Sequence, residues 1–339
     1  CSILLLGFIY NTLIPQFVNF AGKFEIFFIN QLSLPFNSGT IVFFTLTVGI
    51  IVYLLRYSQK KEYLLINTFT LGFTFLLIGY MSFFTLIIRS NANTPIDENS
   101  PEDAVSLLSY LNREQYGFSP LLYGQYFNTE VEDYADGKPV YVKDKKKKKY
   151  VISDDRKKSV PIYEKEKSGI FPRMWSKDQR HVESYKEWAN LKSLNKKPTF
   201  LENLKFFFSY QVNHMYFRYF MWNFTGRQND IQGHGELNNG NWISGINFID
   251  ELRLGPQKNM PDHLKNNPGR NTYFFLPFIL GLIGLLFHYK KSPKDTWIIF
   301  LFFFFTGLAI VIELNQYPYQ PRERDYAYVG SFYAFSIWI

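Results

Sequence analysis

TIVFFTLTVGIIVYLLRY, residues 40–57, is eighteen residues long and carries one charge, Arg56. In a helix rising about 1.5 Å per residue, such a run approaches the ~30 Å hydrocarbon core of a bilayer. Outward from it the pattern recurs at Tyr63–Ile88, and again at Asn271–Tyr289 and Thr296–Leu314. Ser2–Ile14 and Ala327–Ile339 are apolar but short, and each lies at an end of the sequence, so both read as truncated spans. With Cys1 in place of an initiator Met, the chain reads as an internal piece of a longer protein.

The expected fold class is therefore an α-helical multispanning membrane protein with a large extracytoplasmic α+β domain inserted between spans. Residues 1–89 form one membrane region, with an interfacial segment at 15–39 and spans at 40–57 and 63–88. Residues 90–271 form the extracytoplasmic domain. Residues 272–339 form a second membrane region, with spans at 272–289 and 296–314, an outer loop at 315–326 and a truncated span at 327–339. A mean hydropathy of −0.14 averages these unlike parts. One cysteine in 339 residues excludes an intrachain disulfide and a cysteine-based zinc site.

Short loops set the expected orientation. Arg56, Lys60 and Lys61 crowd one connection, and Lys290, Lys291 and Lys294 another, so both belong on the cytoplasmic side. In a bacterium this is the inner membrane, crossed several times, with 90–271 outside. That region holds 27 Lys+Arg against 23 Asp+Glu. The small excess sits mainly in Lys145–Lys149, which excludes a nucleic-acid-binding surface as the main function. Val140-Tyr141-Val142 and Tyr150-Val151-Ile152 flank the lysines with strand-forming residues, so the run reads as a hairpin tip, with anionic headgroups as a further attraction. Ser100-Pro101-Glu102-Asp103 reads as a helix start. Phe206–Phe224 packs ten aromatics into nineteen residues and fits an interfacial helix or a domain core equally.

Two stretches carry chemistry-bearing side chains. Trp222–Glu236 holds Arg227, Asn229, Asp230, His234 and Glu236 among glycines, a composition able to bind hydroxyls or phosphate and equally suited to a hydrogen-bonded connector. The spacing of Asp230, His234 and Glu236 matches no standard zinc pattern, and no metal is assigned. Asn315–Tyr328 places Arg322, Arg324, Asp325 and Tyr326 between two spans. Arg322 and Arg324 are candidates for binding a donor phosphate through guanidinium forks; snorkelling arginines with acidic partners account for them as well.

Arg322–Tyr333, Trp222-Asn223-Phe224 with Gly226–Asp230, Asn91–Asn99 and Phe171–Trp175 together resemble signatures of domain-of-unknown-function family 2723, a bacterial multispanning family. That family is similar to the GT-C membrane glycosyltransferases. The resemblance implies transfer of a sugar, such as mannose, from a polyprenyl-phosphate donor to a protein Ser/Thr at the outer membrane face. It implies as partners the lipid bilayer, the polyprenyl-phosphate sugar and a protein acceptor, with no nucleic acid. No cofactor is firmly implied and a divalent metal is left open. The acidic catalytic residue of such enzymes belongs to a first outer loop, which this chain would place upstream of Cys1, so no catalytic residue is assigned. The alternative is a non-catalytic membrane scaffold or assembly factor whose outer domain binds envelope proteins.

Overall fold

The computed structural model describes residues 7–92, 94–97, 100–112, 119–258, 260–320, 322 and 325–339. The chain divides into two compact units, Cys1–Phe118 with Tyr134–Val160, and Ser119–Asp133 with Pro161–Ile339.

In the first unit, α1 (Ile14–Asn30) follows a π-helical turn, Ile9–Leu13, and covers much of the stretch expected to lie in the interface. After a left-handed Asn37, α2 runs from Ser38 to Lys60. Its N-terminus meets α1 closely: a Cβ on Gly39 would stand 2.6 Å from the Cα of Glu25. This approach delivers the buried Glu25 carboxylate to the first turn of α2. It accepts from Asn37 N at 2.5 Å, Thr40 N at 2.9 Å and Thr40 Oγ1 at 3.0 Å. A helix start leaves amides unpaired and carries partial positive charge, and the carboxylate answers both. Next come α3 (Leu64–Tyr80) and α4 (Ser82–Ser90), separated only by Met81.

Then α5 spans Ala104–Leu111 and starts later than Ser100 because Asp103, with extended backbone, is the cap. Its Oδ1 accepts from Val105 N and Ser106 N, while the Ser106 hydroxyl oxygen accepts from Asp103 N. Strands β3 (Val140–Asp144) and β4 (Lys149–Asp154) form the lysine-tipped hairpin. It is fastened to the helices at two points. Asn30 exchanges two hydrogen bonds with the backbone of Tyr150, and the Tyr150 hydroxyl donates to Asp103 Oδ2 at 2.8 Å.

The second unit has short antiparallel pieces: β1 (Tyr123–Gln125) with β6 (Ser168–Ile170), and β7 (Gly226–Arg227) with β8 (Asn271–Thr272). Strands β2 (Val131–Ala135) and β5 (Val160–Tyr163) pair where the chain passes from one unit to the other. Helix α6 (Gln179–Ala189) starts on the Asp178 cap. The centre is one long helix, α7 (Phe200–Phe206), eleven π-helical residues Phe207–Phe217, and α8 (Arg218–Phe224). The aromatic-rich run is thus core. Phe206 and Tyr210 pack with Tyr185 and Met174 at one end, and Phe220 and Phe224 with Phe335 and Trp338 at the other.

Beyond α9 (Asn247–Leu254) and α10 (Asp262–Lys265) come α11 (Leu276–Lys291), α12 (Pro293–Phe305), α13 (Leu308–Leu314) and α14 (Asp325–Ser336). Among the described residues, three helical stretches are long and apolar enough to cross a membrane: Ser38–Lys60, Leu64–Ser90 and Pro293–Leu314. The run expected to span from 272 differs. Asn271 and Thr272 belong to β8, and Phe274 and Phe275 have φ of 52° and 60°, so α11 begins only at Leu276. Its 16 residues cover about 24 Å.

The second unit closes on Asn315, which ends α13 in the left-handed region, and on Arg173; both are fully buried. Asn315 Nδ2 donates to Pro120 O at 2.7 Å and Pro172 O at 2.9 Å, while its Oδ1 accepts from Gln211 at 3.1 Å. Arg173 donates through Nη1 to Ile312 O at 2.7 Å and through Nη2 to Leu121 O at 3.2 Å, with its guanidinium 3.6 Å from the Phe171 ring centroid. Asn315→Leu would leave two buried carbonyls unpaired, so it should destabilise this unit by about 2–4 kcal/mol. Unfolding of the detergent-solubilised chain in denaturant checks this.

Candidate functional site

The loop from Gly226 to Asn241 is built by its own amide side chains. Gln228 N donates to Asn241 O at 2.9 Å, and its Oε1 accepts from Asn241 N at 3.2 Å and Nδ2 at 3.0 Å. Asn229 Oδ1 accepts from Gly240 N at 2.9 Å, and its Nδ2 donates to Asn238 O at 2.8 Å. From the central helix, Arg218 donates through Nη1 to Gly240 O and through Nε to His214 O. His214 Nε2 donates to Gly233 O at 3.3 Å, and Trp222 Nε1 to Asn229 O at 3.1 Å. Arg227 lays its guanidinium 4.2 Å from the Trp222 ring centroid. Arg227 and Asn229 therefore face the loop's own frame. Asp230 is exposed, and its backbone lies against Gly269.

His234 and Glu236 stand apart from that frame. Together with Gly235 and with Glu187 and Trp188 at the end of α6, they line an open cleft of about 460 Å³. Gly235, at φ +119°, admits the Trp188 ring where a Cβ would stand 2.7 Å from Cζ2. Glu236 bridges the loop: Oε2 accepts from His234 N at 2.7 Å and Oε1 from Asn239 Nδ2 at 3.1 Å. Partial burial alone would raise the Glu236 carboxyl. Hydrogen bonds from its own backbone, from His234 N and from Asn239 outweigh that and hold it below the usual carboxylate range. The His234 ring lies 5.4 Å from the Tyr319 ring.

The structure does not bring the other candidates to this cleft as a set. Arg322 is exposed, with its guanidinium 5.9 Å from the Tyr326 ring centroid. Asp325 opens α14, and Tyr326 follows it, exposed. Arg324 lies outside the described residues. Gln316 and Gln320 of the expected outer loop are buried in the second unit, and Tyr317 stacks on His181 at 4.4 Å. Among the described residues, no group of three or more His, Cys, Asp or Glu is placed to hold a metal ion. Glu187 and Trp188 were missed from sequence. The helical periodicity of Gln179–Ala189 marks a helix but not the loop that would close over its end.

A family of unknown function (DUF8416) has a model that matches residues 117–208. No curated protein and no solved structure matches the chain. The matching family differs from family 2723, so the expected membership is corrected. The GT-C relationship inferred from it is withdrawn with it. The match takes in Arg173, Glu187 and Trp188 and stops before the loop at Gly226.

Beneath the cleft, His214 is buried among Trp188, Tyr210 and Arg218. Desolvation, reinforced by the Arg218 charge, pulls its imidazole down from 6.5 to about 3. The unfolded chain therefore binds this proton more readily than the folded one. The stabilising contribution is whole above about pH 6.5 and is lost as pH falls towards 3. Burial lowers His181 as well, with the same sign. The thermal midpoint should thus fall steadily from pH 6.5 to 5, and His214→Gln should flatten most of that slope. A midpoint series in matched buffers checks it.

Proposed function

We propose that the chain is a non-catalytic membrane scaffold, anchored by its apolar helices, that binds a basic segment of an envelope protein at the cleft of Glu187, Trp188, His234 and Glu236. The carrying observation is the frame of the loop. Gln228, Asn229, Asn241 and Arg218 bond to the loop's own backbone and hold the cleft wall in a fixed shape before any ligand arrives. Preorganisation of this kind reduces the ordering cost of binding. Two carboxylates, Glu187 and Glu236, line the cleft beside the Trp188 ring, a combination that complements Lys or Arg side chains. In this reading the membrane is the bacterial inner membrane, the Arg56–Glu62 and Lys290–Asp295 turns face the cytoplasm, and the cleft faces out.

Photo-crosslinking residues placed at positions 187 and 236 in cells should yield the same discrete protein adduct. One placed at Lys146 should not. Glu187→Lys should abolish the adduct formed from position 236, because a like charge then faces the basic segment. Sugar transfer from a polyprenyl-phosphate donor by the chain, lost in Arg322→Ala and untouched by Glu187→Lys, would replace this reading with a transferase.

A further inference from the structure

The first unit contains a cavity that the cleft does not involve. It measures about 620 Å³, within the range of small-ligand sites, and lies among α1, α2, α3, α4 and α5. Along α2 its wall runs from Thr40 to Ile51, about 17 Å of helix. Phe17, Phe44 and Phe84 form much of its lining with aliphatic side chains.

Four threonines also line it, yet they offer it no free hydroxyl. Thr45 bonds Ile41 O, Thr47 bonds Phe43 O, Thr74 bonds Thr70 O, and Thr40 bonds Glu25. Each hydroxyl proton is thus already committed within the helices. Apart from these threonines and Tyr80 the wall is apolar, so water finds few of the two to four polar partners that would hold it. Ser38–Lys60 and Leu64–Ser90, which form two of the walls, are both apolar and long enough to cross a bilayer. With those helices in a bilayer, the medium that reaches such a cavity is hydrocarbon.

At one end lie two buried carboxylates, Glu25 and Asp103, each answered by the amides of a helix start. Ala21, Thr40 and Ala104 bound the cavity there, next to the Glu25–Thr40 bonds and the Asp103 cap. The hairpin is fastened at the same end, through Tyr150 to Asn30 and Asp103. It brings Lys143, 4.7 Å from the Phe36 ring centroid, and the exposed run Lys145–Lys149. Lys145 pairs only loosely with Glu102, at 3.9 Å. Lysines clustered near a membrane surface attract anionic headgroups.

We propose that this cavity is a binding site for an anionic glycerophospholipid, one acyl chain lying along α2 from Thr40 to Ile51 and the phosphate facing the hairpin lysines. The test uses the delipidated chain in detergent, offered equal amounts of phosphatidylglycerol and phosphatidylcholine with the same acyl chains. Bound lipid is counted by native mass spectrometry. The wild-type chain should retain one phosphatidylglycerol, favoured about fivefold over phosphatidylcholine, an electrostatic increment of the size a few surface lysines supply. Val48→Trp, which fills the cavity, should cut retention about tenfold, whereas Ile50→Trp, on the same helix but outside the lining, should not. Val48→Ala, which leaves more room, should retain the lipid. Lys145→Gln with Lys146→Gln and Lys147→Gln should keep a bound lipid and lose the preference. Equal retention by Val48→Trp and the wild type, or none by the wild type, overturns the site. Equal retention of the two lipids by the wild type overturns its anionic character.

Discussion

The second unit depends on how buried backbone carbonyls find donors. Asn315 is where this is settled. Its side chain donates to the carbonyls of Pro120 and Pro172, takes a bond from Gln211 on the central helix, and its own carbonyl accepts from Trp175 Nε1 at 3.0 Å. Buried peptide groups without partners are costly, so three segments remote in sequence, around 120, 172–175 and 211, are held in one register by one residue. The left-handed backbone at Asn315, φ 41°, turns the chain back from α13 towards the core. An asparagine tolerates that conformation better than most side chains and supplies both amide donors there. The burial of Gln316 and Gln320 follows from this turn.

The parts of the fold legible in sequence were those fixed by local length and local pattern. Apolar runs long enough for a bilayer formed helices at 38–60, 64–90 and 293–314. The lysine run between two β-branched and aromatic triplets formed a hairpin, because strand propensity on both sides and solvation at the tip agree. What failed to show locally was decided by distant partners. Phe274 and Phe275 look like the start of a helix, but β8 pairing with β7 holds the preceding residues extended and delays it. The aromatic run 206–224 could not be placed from composition. Its Gln211, His214 and Arg218 are acceptable inside a core only because residues 233, 240, 315 and 316 supply their partners.

The candidate site was half legible for a related reason. Glycine, asparagine and glutamine between 226 and 241 announced a loop whose backbone is closely managed. Composition could not say whether the amides point outward to a ligand or inward to the chain. Gln228 and Asn229 are buried and point inward, while His234 and Glu236 are exposed and line the cleft. The same distinction explains the misleading resemblance. In Trp222–Asp230, Trp222 donates to Asn229 O and stacks Arg227, and Asn223 donates to Tyr219 O. In this chain tryptophan, asparagine and arginine serve a tight helix-to-loop junction, so such a block need not mark a shared chemistry.

Arg173 shows how far the matched family region relies on the rest of the chain. Burial pulls its guanidinium down to about 10, and its described hydrogen-bond acceptors are the carbonyls of Ile312 and Leu121. A lysine could not reproduce this arrangement, since a planar fork is needed to reach two carbonyls while stacking on Phe171. Trp175 likewise donates to Asn315 O. Within residues 117–208, then, the buried Arg173 and the half-buried Trp175 donate to acceptors at 312 and 315, more than a hundred residues onward. Cut away from that turn, the segment would leave the Arg173 guanidinium only its Leu121 acceptor and the Trp175 N–H without its protein partner, a cost of about 1–3 kcal/mol. The physical unit of folding around this region is therefore larger than the matched segment, and includes the end of the last apolar helix long enough to cross a membrane.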